Sequence, residues 1–120
     1  MTQLLHITDP ATWQQSTAAG EYAMSTRDVT LAEQGFIHCS LPHQVRRIAD
    51  LVYPDAADLV IVVIDTDRLT APVRFESAEP GGEEFPHIYG PLRRSAVAET
   101  VLVSRDAAGQ LVLPPWLASA

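Results

Sequence analysis

The longest unbroken apolar stretch of the chain is Leu59-Val60-Ile61-Val62-Val63-Ile64, rich in β-branched residues. A run without polar alternation predicts a central strand covered on both faces. Val45, Ile48, Ala49 and Val52 recur instead at helical spacing, with Arg46, Arg47 and Asp50 off that stripe. This predicts an amphipathic helix beginning after Pro42 and stopping near Pro54. Leu4-Leu5-His6-Ile7-Thr8 reads as a short strand. Asp9-Pro10 then supplies an N-cap and a first-turn proline for a helix carrying Trp13, which Gly20 is placed to end. Thr30 to Gln34 predicts a short helical turn closed by Gly35.

Three further strands are predicted, at Gly35 to Ser40, at Val73 to Glu76, and at the segment Phe85-Pro86-His87-Ile88-Tyr89-Gly90-Pro91. The acidic, glycine-containing stretch from Glu79 to Glu84 reads as a surface loop, and Thr100 to Ser104 with Leu111 to Leu113 as a closing hairpin around Asp106 to Gly109. Strands outnumber helices and no regular βαβ alternation appears. The expected fold class is therefore α+β, a curved mixed or antiparallel sheet with two or three helices. At 120 residues, without a repeat or linker, the chain is expected to form a single domain over 1–120.

Charge narrows the choice of partner. Eight Lys and Arg against fifteen Asp and Glu give a net charge of -7, which repels phosphate backbones and anionic lipid surfaces, so non-specific nucleic-acid binding and membrane association are not expected. The N-terminal residues lack the pattern of a signal peptide, no stretch approaches the roughly 20 apolar residues of a membrane span, and a cytoplasmic location is expected. Cys39 is the only cysteine, which excludes an internal disulfide and a multi-cysteine zinc site. Strand alternation turns it toward the core with Ile37, as an inert thiol.

Three of the four histidines stand two residues before a hydroxyl: His6 and Thr8, His38 and Ser40, His87 and Tyr89. On a strand each pair shares a face while Ile7, Ile37 and Ile88 point oppositely, and the expectation is a polar cleft lined by the three pairs. The bland alternative is that each histidine only satisfies a neighbouring backbone group. Glu76, at the end of an alternating strand, is a candidate to stabilise developing positive charge. His43, at a helix start, reads as surface. Without an H-E-x-x-H or H-x-H cluster no metal is expected, although three convergent histidines would make a catalytic metal set. Without a G-x-S-x-G elbow, and with i,i+2 neighbours on a strand, Ser40 and His38 do not read as a hydrolase pair.

The segments L-L-H-I-T, G-F-I-H-C-S followed by Gln44 and Val45, and R-F-E before F-P-H-I-Y-G-P-L resemble the bacterial and plant family catalogued as domain of unknown function 952, over nearly the whole chain. The pattern is also similar to a compact ADP-ribosyltransferase-like fold, particularly that of the tRNA 2′-phosphotransferases, with their H-G-T first strand and a histidine and small hydroxyl on the next. That resemblance implies NAD as ligand, His6 and Thr8 on its adenosine-side ribose, His38 and Ser40 toward the nicotinamide, and Glu76 at the reacting ribose. Ile7 stands where those proteins carry a small glycine, and no arginine set for a phosphorylated RNA is evident.

The leading expectation is a small-ligand or nucleotide-binding domain, with NAD as the implied cofactor of an ADP-ribosyltransferase-like enzyme. Catalytic roles fall to Glu76 and His38, and ligand contacts to His6, Thr8, Ser40, His87 and Tyr89. A non-catalytic binding or regulatory module and a metal-dependent enzyme using three histidines are the alternatives. The oligomeric state is left open.

Overall fold

The computed structural model describes residues 3–18 and 20–118. From the N-terminus the elements are β1 (Gln3–Thr8), α1 (Pro10–Thr17), β2 (Glu21–Tyr22), β3 (Met24–Thr26), β4 (Val29–Thr30), α2 (Leu31–Gln34), β5 (Ile37–His38) and α3 (Val45–Val52). There follow β6 (Asp58–Asp65), β7 (Val73–Glu76), β8 (Phe85–Ile88), β9 (Leu92–Arg93), β10 (Val97–Ser104) and α4 (Pro115–Ala118), with short 3-10 turns after β6 and β9. The class is α+β and every strand pairing is antiparallel.

The apolar run forms β6, the centre of a sheet ordered β1-β6-β10. Its alternate residues feed two cores: Leu59, Ile61 and Val63 pack with Val45, Ile48, Ala49 and Tyr53 around α3, whereas Val60, Val62 and Ile64 pack with Tyr22, Ile37, Cys39, Ile88 and Leu92. This is the two-sided burial that a non-alternating run requires. A second sheet is ordered β5-β8-β7. The two are joined where Leu5 and Ser40 exchange backbone hydrogen bonds of 2.8 and 2.7 Å and Cys39 N–H donates to Pro86 O at 2.9 Å. The segment 37–40 thereby bridges β1 and β8.

Local chemistry sets the helix ends. Asp9 caps α1 by accepting from Thr12 N–H at 2.8 Å, and Thr30 with Glu33 forms a reciprocal capping box on α2. Gly35 ends α2 in the left-handed region at φ 94°, where a side chain is disfavoured. α1 ends at Thr17, ahead of Gly20. The expected C-terminal hairpin is reduced to a single bridge between Arg105 and Leu111, flanked by backbone hydrogen bonds from Asp106 N–H to Gln110 O and from Val112 N–H to Ser104 O. No described helix is long and apolar enough to cross a membrane.

Candidate functional site

Register decides which of the three histidine pairs meet. His38 lies directly opposite His87 across β5 and β8, and His87 opposite Arg74 across β8 and β7, so these side chains share one face of the sheet. Strand alternation adds Phe36, Glu76, Phe85 and Tyr89 to that face and sends Ile37 and Ile88 into the core behind it.

On this face the groups interlock. His87 Nδ1 lies 2.9 Å from Glu76 Oε1, and the Tyr89 hydroxyl donates to the same oxygen. An ionised carboxylate only accepts, so Nδ1 of His87 carries the proton and donates it. Nε2 of that ring is then directed away from Glu76. Phe36 stacks on the His87 ring with centroids 3.9 Å apart and planes 13° from parallel, and the Arg74 guanidinium sits 4.9 Å over the Tyr89 ring. Hydrogen bonds from Tyr89 and then His87 hold the Glu76 carboxyl below the usual carboxylate range. The bond to Glu76 raises the Tyr89 phenol in return.

The His38 ring centroid is 5.4 Å from that of His87 and 5.2 Å from that of Phe85. Burial, and secondarily the neighbouring His87, lower the His38 pKa to about 4. A neutral His38 at pH 7 therefore offers the cleft one donor and one acceptor nitrogen. These side chains line a cleft of about 370 Å³, closed by Arg47, Ile48 and Leu51 of α3 and by the loop carrying Glu79, Gly82 and Glu83.

Gln44 fixes that loop. Buried at the start of α3, it accepts from Leu41 N–H at 2.9 Å and donates to Glu83 Oε2 and Glu84 O, each at 2.9 Å. Arg47 adds an ion pair with Glu83. The acidic loop is thus an ordered wall of the cleft.

His6 and Thr8 are placed elsewhere. Because Leu5 faces Ser40, residues 5 and 7 lie on the side of His38, and His6 and Thr8 on the opposite side of the sheet. Both are buried, at 2% and 1% exposure. His6 Nδ1 lies 2.8 Å from the His38 carbonyl and Nε2 2.7 Å from the Tyr22 hydroxyl. A carbonyl only accepts, so Nδ1 donates, and Nε2 accepts the Tyr22 proton. Burial lowers the His6 pKa to about 4, against a smaller opposing effect of the His38 carbonyl. The expectation of a cleft lined by all three pairs is therefore corrected: His6 supports the backbone of His38 from behind. Ser40 shares the face of His38 but is buried where the two sheets join. His38, Glu76, His87 and Tyr89 are the predicted site residues that the fold brings together.

Cys39 is buried in the core with Ile37, and burial pushes its thiol up. Three-histidine metal binding has no geometric basis, since His6 faces away with both nitrogens engaged, and no group of three or more potential ligands converges among the described residues. Gln44 and Arg47 were missed as site residues. Gln44 stands one turn before Ile48 on the apolar stripe of α3, and a polar residue on a buried stripe is the signal that marks it.

A model of the family described as protein of unknown function (DUF952) matches residues 7–100. The chain belongs to the DUF952 family. Its fold is similar to the crystal structure of protein CC0527 from Caulobacter crescentus, with 33% identity, a TM-score of 0.80, and coverage of 98% of this chain and 99% of that one. The solution NMR structure of CC0527 gives 34% identity and a TM-score of 0.73, covering 92% of this chain and 91% of that one. No curated protein matches. The ADP-ribosyltransferase-like comparison has no counterpart among these structures.

Proposed function

We propose that this DUF952 protein binds a small polar ligand in the cleft between α3 and the β5-β8-β7 sheet, and that the Glu76–His87 pair exchanges a proton with it. The observation carrying this reading is the orientation of His87 by Glu76, beside a neutral His38 whose ring nitrogens have no hydrogen-bond partner among the described residues. A base held in one tautomer by a carboxylate is the arrangement used for general acid–base catalysis, where a positioned group contributes about 10² to 10⁴ in rate. His87 Nε2 takes the proton, Glu76 stabilises the imidazolium, and Tyr89 keeps Glu76 ionised and in place. His38 orients the ligand by hydrogen bonding.

The resemblance to ADP-ribosyltransferase-like proteins makes NAD the first ligand to test. The residues present fit it only in part: Glu76 and His38 stand in the cleft, but His6 and Thr8 are buried on the other face and do not fit as ribose contacts.

Titration calorimetry with NAD, ADP-ribose and nicotinamide, paired with mass spectrometry of the mixtures, tests the proposal. Binding lost in His38→Ala, with a product whose formation is lost in Glu76→Gln, supports it. Binding with no chemical change makes the domain a non-catalytic module, and no heat from any ligand at millimolar concentration counts against the cleft as a site for this class.

A further inference from the structure

Past His38 the cleft continues toward β3 and α2 into a second lobe of about 310 Å³, whose lining includes Phe36, His38, Ile48, Leu51, Val52 and Ser25. Most of those side chains are apolar. Thr26, Gln34 and His38 add polar groups to the wall, and Ser25 differs from them: it is 1% exposed, and its hydroxyl has no hydrogen-bond partner, the only such buried side-chain atom among the described residues. The ladder between β3 and β4 slips between Met24 and Thr26, so Ser25 sits at an irregularity in the strand. Such irregularities re-aim side chains and recur beside binding sites. A buried hydroxyl without a partner is costly, and natural proteins retain few of them.

We infer that this lobe is a ring-binding subsite, which takes an aromatic ring bearing a hydroxyl with the ring among Phe36, Ile48 and Val52 and the substituent hydrogen-bonded to Ser25 Oγ. The inference rests on the ligand reading of the adjoining cleft and adds to it the chemistry of the ligand's far end. Phe36 and His38 connect the two lobes: His38 lines both, and Phe36 lines the second while stacking on the His87 ring of the first. A ligand spanning them has an apolar ring at one end and the group presented to Glu76 and His87 at the other. Small-molecule sites combine apolar walls with few polar groups in this way.

The test is a nitrogen-edited NMR titration of the whole protein with phenol and with toluene, in wild type, Ser25→Ala and Ser25→Cys. The result expected is that phenol shifts the Ser25, Phe36 and Val52 amides and binds about tenfold more tightly than toluene, the worth of one neutral hydrogen bond to an otherwise unpartnered group. Both substitutions abolish the preference, and circular dichroism verifies that each variant is folded. Equal affinity for the two probes in wild type, a preference unchanged in Ser25→Ala, shifts confined to another face, or no shifts at all overturns the inference. Glu76→Gln separates the two claims: phenol discrimination survives it, so the acid–base reading can fail while the subsite stands.

Discussion

Removing the buried His6 imidazole tests the core of the site from behind. The ring is neutral in the fold with a pKa of about 4, against 6.5 for the free side chain. A histidine whose folded pKa is depressed contributes stability that is fully present above the unfolded value, and this is lost as pH falls from about 6.5 through about 4. The shift corresponds to about 3 kcal/mol in total, of which about 2 kcal/mol has been lost by about pH 5. Other groups titrate in the same window, so the informative quantity is the difference from His6→Gln, which cannot take up the proton. Urea unfolding at about pH 7.5 and about pH 5 should show wild type losing about 2 kcal/mol more than the variant. Equal losses, or a His6 imidazole titrating near 6.5 by NMR, would refute the reasoning.

Tyr89→Phe removes the first of the two donors to Glu76, so the carboxyl should titrate at higher pH than in wild type, read from its ¹³C shift; an unchanged titration contradicts the bond. Ser25→Ala removes a buried hydroxyl that satisfies nothing, so it should leave stability unchanged or raise it by about 1 kcal/mol, seen as a Tm higher by about 4 °C; a fall of that size would mean Ser25 has a structural partner. Ile61→Ala empties a fully buried position in β6 and should cost about 2 to 5 kcal/mol in chemical unfolding. Arg105→Met should cost about 2 to 4 kcal/mol, since the guanidinium donates to the carbonyls of Ala56, Gly109 and Tyr53 and to Asp50 and its loss removes several hydrogen bonds at once, two of them to part-buried carbonyls.

The elements with strong local signals were legible. The β6 run, the Asp9-Pro10 start of α1 and the stripe of α3 each fix an element through residues close in sequence. The short strands β2, β3, β4 and β9 were not, because each has only two or three residues: β2 and β9 exist through each other across most of the chain, and β3 and β4, though neighbours in sequence, are too short to show alternation. Half of the candidate site was legible for a related reason. Alternation says that His6 and Thr8 share a face, but only the register between Leu5 and Ser40 says which face, and a strand buried on both sides offers two. His87 with Tyr89 met Glu76 because β7 and β8 are consecutive, antiparallel neighbours. Tyr22 as the partner of His6, and Arg105 as a hub, depend on contacts between residues 16 and about 50 positions apart and leave no local trace.

A ligand in the cleft would face His38 and His87 together. The most direct measurement follows the ring nitrogens of both by ¹⁵N NMR while NAD, ADP-ribose and nicotinamide are titrated in turn into wild type and Glu76→Gln. The expected result is that one of them shifts His38 and His87 Nε2 in parallel, with His87 in the Nδ1–H tautomer in wild type and released from it in Glu76→Gln. A ligand that perturbs only the opposite face, or a His87 tautomer indifferent to Glu76, would contradict it.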